Sequence, residues 1–108
     1  MNRAEAQKHI SETCGQGWFT LVEILYDNKP ESIEITAVFQ KWAGLKVDYE
    51  GEDVHFEELA ETVYSISQKM CEKCGASGNY TMIDGWETTL CNRHYAESEA
   101  KQKYREEK

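Results

Sequence analysis

Cys71-Glu-Lys-Cys74-Gly75, with sixteen residues separating its second cysteine from Cys91-Asn-Arg-His94, is the stretch that organises this chain. A Cys-x2-Cys pair and a Cys-x2-His pair together offer three thiolates and one imidazole, the donor set of a tetrahedral zinc site. Four protein ligands leave no coordination position for water or substrate. The sequence therefore predicts one structural Zn2+ on Cys71, Cys74, Cys91 and His94.

The residues between the ligand pairs support this. Gly75 after the second cysteine permits the sharp turn of a zinc knuckle. Tyr80 to Ile83 and Trp86 to Leu90 are β-prone runs joined by Asp84-Gly85, a pair favoured in two-residue type I′ turns. From Cys91 onward the chain contains good helix formers and no breaker, so Cys91 and His94, three residues apart, share a face of the first helical turn. Knuckle, hairpin and ligand-bearing helix, in that order, predict a treble-clef zinc module over residues 71–108. A redox Cys-x-x-Cys usually opens a helix, whereas this one follows an amphipathic segment and has a second pair downstream. A disulfide framework belongs to secreted proteins, and residues 1–13 carry no apolar signal-peptide core. The expectation is a reduced, cytoplasmic protein.

Upstream, hydrophobic periodicity predicts an αββα part over residues 14–70. Trp18 to Tyr26 is apolar except at Thr20 and Glu23, a helical pattern that Asn28-Lys29-Pro30 ends. Ile33, Ile35, Ala37 and Phe39 then alternate with Glu34, Thr36, Val38 and Gln40, and Leu45, Val47 and Tyr49 with Lys46, Asp48 and Glu50. Two antiparallel strands turning near residues 41–44 are expected, with the first set of each on the core side. Asp53 caps a helix whose stripe is Phe56, Leu59, Ala60, Val63, Ile66 and Met70. Residues 2–13 can be helical, but only Ala4, Ala6 and Ile10 offer apolar contacts, so residues 1–13 read as a weakly ordered arm. The fold class is α+β in a single domain: helix, hairpin, helix, then the zinc module.

Charge is unevenly placed. The chain of 108 residues has a net charge of −8, and Glu23 to Glu61 contains eleven acids against three bases while the remainder balances. Asp48, Glu50, Glu57, Glu58 and Glu61 lie in the densest run, which repels phosphate backbones and suits a basic partner surface. No run is long enough to span a membrane. Cys14, the cysteine outside the ligand pattern, reads as a small buried hydrophobe. Trp42, at the first hairpin tip, is a candidate partner anchor.

Cys14-Gly-Gln-Gly-Trp18-Phe19, Gln40-Lys-Trp-Ala-Gly44-Leu-Lys, Cys71-Glu-Lys-Cys74-Gly75 and Gly85-Trp86-Glu-Thr-Thr-Leu90-Cys91 give the chain a further likeness over about residues 14–96. It resembles a group of small zinc-finger proteins encoded by bacteriophages and prophages. Trp42-Ala43 stands where that group commonly has an aromatic residue and a glycine. The resemblance implies a bacterial host cytoplasm and brings no activity with it.

The functional expectation is a non-enzymatic module that binds and modulates a host protein through the acidic residues and Trp42. An RNA polymerase modulator resembling the DksA/TraR type is the alternative, although that type acts through a helical tip where this chain has a hairpin. A nucleic-acid-binding finger is a further alternative, drawing on Lys69, Lys73 and Arg93 and on bases beyond residue 100, yet seven acids share that segment. His-metal nucleases need a histidine on the zinc hairpin, and residues 80–90 contain none.

Overall fold

The computed structural model describes the backbone of residues 1–106 and the side chains of residues 1–99. Its order is α1 (Arg3–Thr13), α2 (Phe19–Asp27), β1 (Glu34–Lys41), β2 (Gly44–Glu50), α3 (Val54–Ser67), β3 (Asn79–Ile83), β4 (Trp86–Leu90) and α4 (Asn92–Glu106). The class is α+β, with four helices and two separate two-stranded antiparallel sheets among the described residues.

The weakly ordered arm expected at residues 1–13 is instead a docked helix. Asn2 Oδ1 accepts from the Glu5 amide at 2.8 Å and Glu5 Oε1 from the Asn2 amide at 3.0 Å, a reciprocal cap that satisfies two otherwise orphaned donors. Ala6 and Ile10 are fully buried against the core, and Arg3 reaches both Glu23 and Asp27 on α2. Two well-placed apolar residues sufficed because they sit four apart and meet the core on one helical face.

β1 and β2 pair as expected, but their register shifts between Ile35 and Ala37. Thr36 is the extra residue of a β-bulge, and it inverts every side chain beyond it. Val38, expected on the wet face, is therefore fully buried opposite Val47, while Phe39 pairs with Lys46 on the outer face. The hairpin closes through Trp42 and Ala43, with φ of 54° and 61°. Both lie in the left-handed region that a type I′ turn requires.

Asp53 caps α3 by accepting from the Phe56 amide at 2.8 Å, as its sequence position predicts. The buried stripe of α3 differs from expectation at its C-terminal end. Ser67 is fully buried and Ile66 is half exposed, because the Ser67 hydroxyl accepts the Leu45 amide at 2.7 Å and donates to the Tyr64 carbonyl at 2.6 Å. That bond fixes the rotation of α3 against β2. The helix ends at Ser67, so Met70 lies past it in an isolated bridge to Ser77. Thirteen buried apolar residues from α1, α2, the first hairpin and α3 form one core.

Candidate metal centre

The knuckle forms because the backbone closes on itself around Cys71. The Cys71 amide donates to the Ala76 carbonyl at 2.7 Å and the Gly75 amide to the Cys71 carbonyl at 2.8 Å. Gly75 adopts φ +83°, the left-handed geometry in which a side chain is strained. At the other ligand pair, Cys91 ends the β4 connection and the Tyr95 amide donates to its carbonyl at 2.9 Å, which begins α4 and places His94 in its first turn.

The four expected ligands converge: one donor atom from each of Cys71, Cys74, Cys91 and His94 lies within 4.8 Å of every other. His94 Nδ1 is 3.2 Å from Cys91 Sγ and 3.5 Å from Cys71 Sγ, and the Cys74 and Cys91 sulfurs are 3.8 Å apart. A tetrahedron with ordinary zinc bond lengths has S–S edges of about 3.8 Å and S–N edges of about 3.5 Å. The group could therefore hold a single metal ion.

Electrostatics favour a cation at the centre. The backbone amide of His94 is the main cause that lowers the Cys91 thiol to about 6, with burial opposing and the His94 ring assisting. For Cys74, the Ala76 amide favours the thiolate, but burial and the adjoining Cys71 and Cys91 sulfurs outweigh it and the thiol is raised. A divalent ion bound among these sulfurs would favour the thiolate form of each.

The knuckle is also fastened to the rest of the protein, through residues that spacing alone did not single out. The Glu72 side chain turns inward and is 5 % exposed. Its Oε1 accepts from the Thr88 hydroxyl at 2.5 Å and its Oε2 from Gln40 Nε2 at 3.0 Å. Burial raises this carboxyl above its ordinary range, against the lowering effect of both donors. Gln40 Nε2 also donates to the Glu87 carbonyl at 2.8 Å, and Thr89 Oγ1 to that of Ala43 at 2.7 Å. Trp18 Nε1 caps the Met70 carbonyl at 2.9 Å, and the Gly17 amide donates to that of Glu72 at 2.9 Å. A Cβ at Gly17 would stand 2.0 Å from the Cys71 carbonyl oxygen, so only glycine allows this approach. The Gly-x-Gly-Trp run at residues 15–18 was the available signal for this fastening.

Cys14 is buried at the end of α1, outside the metal cluster, and burial is the main cause that pushes its thiol up to about 11. The partner-surface candidates do not share one face. Asp48 and Glu50 alternate with Val47 and Tyr49 and so stand on the far side of β2 from the core, with Glu50 directly opposite Glu34. Glu57 and Glu61 line a groove between α3 and β2, and Glu58 is exposed on the same helix. Trp42 is 60 % exposed at its turn.

No protein-family model, curated protein or solved structure matches this chain. Among the described residues, no helix is long and apolar enough to cross a membrane.

Proposed function

We propose that the chain is a zinc-stabilised, non-enzymatic interaction module of phage or prophage type, which binds and modulates a host protein in the bacterial cytoplasm. The observation that carries this reading is the closed Cys3His cluster. Its four donors account for a complete tetrahedral shell, so the bound ion would serve to hold knuckle, hairpin and helix together in a treble-clef arrangement. Soft thiolates with one imidazole select zinc among the common divalent ions.

Partner binding is assigned to the acid on α3, with Asp48 and Glu50 on the neighbouring strand and Trp42 at its end. Among the described residues, the ion pairs are Arg3 with Glu23 and Asp27, and Arg93 with Glu97. Glu57, Glu58 and Glu61 have none. Glu57 and Glu61 are four apart and Glu58 and Glu61 three apart, like-charge spacings that weaken a helix. Acids with no ion pair inside the fold suit an external basic surface.

The test is affinity capture from bacterial lysate with the zinc-loaded protein and with a variant in which Glu57, Glu58 and Glu61 are changed to Lys. A protein retained by the first, released by added salt and lost by the second supports the reading. Identical captured sets from both overturn it.

A further inference from the structure

Beside the acidic groove lies a second recess with more exposed aromatic surface. The groove, of about 460 Å³, has the rings of Tyr49 and Tyr64 and the carboxylates of Glu57 and Glu61 in its walls. The Tyr49 hydroxyl is raised above its ordinary range, by burial first and then by the charges of Glu57 and Glu61. Where the two hairpin tips meet, Gln40, Lys41 and Glu87 contribute to a cleft of about 430 Å³ whose apolar lining is Trp42, Met82 and Trp86. These are 60 %, 56 % and 61 % exposed.

Lys46 joins the recesses. Its Nζ lies 4.3 Å from the centre of the Tyr64 ring in the groove and 5.7 Å from that of Trp42 in the cleft. The Tyr64 face is thus taken by the chain's own amine, so a basic side chain from outside would be held by Glu57 and Glu61. Folding accounts for little of this surface. Trp42 holds a left-handed φ of 54°, a position that turns normally give to Asn, Asp or Gly, and is 60 % exposed, with Lys41 Nζ 4.6 Å from its ring centre. Two exposed tryptophans from separate hairpins that face one cleft form an apolar anchor site.

We propose that the groove and the cleft together bind one extended segment of a partner protein, which places an arginine or lysine in the groove and an apolar side chain in the cleft. The occupant follows from charge and shape. The two carboxylates outnumber Lys46 in the groove and complement a further cation, while the cleft offers two indoles and a thioether to an apolar side chain. An extended chain suits two recesses that a single side chain, Lys46, links. A nucleic acid is disfavoured, because its phosphates would meet Glu57 and Glu61. This inference rests on the proposed role as a protein-binding module and specifies what the partner contributes.

The experiment titrates zinc-loaded, ¹⁵N-labelled full-length protein with short synthetic peptides carrying two arginines, one to three glycines and two leucines. The expected result is saturable movement of the Trp42 and Trp86 indole signals and of the Glu57 and Glu61 amides, with the buried Trp18 indole unmoved. Glu57→Gln with Glu61→Gln, and separately Trp86→Ala, should each weaken binding about tenfold, as loss of an anchor does. Peptides with glutamates for the arginines, or serines for the leucines, should weaken by a similar factor. Absence of saturation, equal binding of the control peptides, indifference to Trp86→Ala, or the same indole shifts from a single-stranded oligonucleotide would each overturn the proposal. A lysate protein that needs Glu57, Glu58 and Glu61 but binds Trp42→Ala/Trp86→Ala normally would remove this inference and leave the interaction module standing.

Discussion

Residues 3–67 and residues 71–99 are held together by different physics. The first region contributes all thirteen members of the apolar core, whereas the second buries only two hydrophobic residues, Cys71 and Leu90. Its other buried side chains are polar: Glu72, Thr88 and Thr89. A hydrophobic side chain removed from water contributes roughly 1.5–3 kcal/mol, so a segment with two such groups cannot offset its own chain entropy. A short segment in that position needs a metal or a set of directional bonds, and residues 71–99 have the donors for both.

The sharpest way to break this contrast is to remove the metal. Cys71→Ser, Cys91→Ser or a strong chelator should unfold residues 71–99, since structural zinc sites contribute roughly 10–16 kcal/mol of binding energy to folding. Amide spectra should lose dispersion for β3, β4 and α4 while α1, α2 and α3 remain folded, and elemental analysis of the intact protein should give about one zinc per chain. Retention of the native hairpin signals in metal-free protein would end the assignment.

Next in size is the apolar region. Ile10→Ala opens a cavity in the core and should cost roughly 2–4 kcal/mol in denaturant unfolding, without change in metal content. A cost near zero would mean that α1 is the loosely held arm that composition alone suggests. Glu72→Ala should cost roughly 1–3 kcal/mol, because the hydroxyl of Thr88 and the amide of Gln40 lose a buried acceptor. It should also loosen the knuckle against β1, measurable as faster amide exchange at Gly17, whose N–H donates to the residue 72 carbonyl.

The smallest effect belongs to Cys14. Its folded thiol is raised to about 11 from an unfolded value of 9.0. The neutral form is favoured in the native state, so its contribution is fully present below pH 9.0 and is lost as pH rises toward about 11. Cys14→Ala should therefore flatten the decline of melting temperature across that window, and below it the native thiol should alkylate far more slowly than in denaturant. Rapid native alkylation would show that the site is open to solvent.

Much of this molecule could be read locally. The ligand pairs, the Asp84-Gly85 turn, the Asp53 cap and the helical stripe from Phe56 to Val63 are patterns carried within short windows of chain, where spacing and periodicity translate directly into geometry. Val38 was misplaced because the Thr36 bulge is a property of pairing between two strands, and alternation along one of them cannot register it. Ile66 and Ser67 exchanged places for a related reason: one hydroxyl on α3 bonds an amide on β2, twenty-two residues away in sequence.

What the sequence determined by itself was therefore the elements from α2 onward and the four donors that converge, since helix, turn and knuckle geometry depend on neighbours a few residues apart. Only the tertiary structure decided how those pieces meet. The inward turn of Glu72 depends on Gln40, thirty-two residues away, and the fastening of the knuckle depends on Trp18, fifty-two residues from Met70. The division of the acid between β2 and α3 and the convergence of Trp42 with Trp86 follow likewise from how separate elements pack. Long-range contacts are selected by the fit of whole surfaces, and no single stretch of chain carries that information.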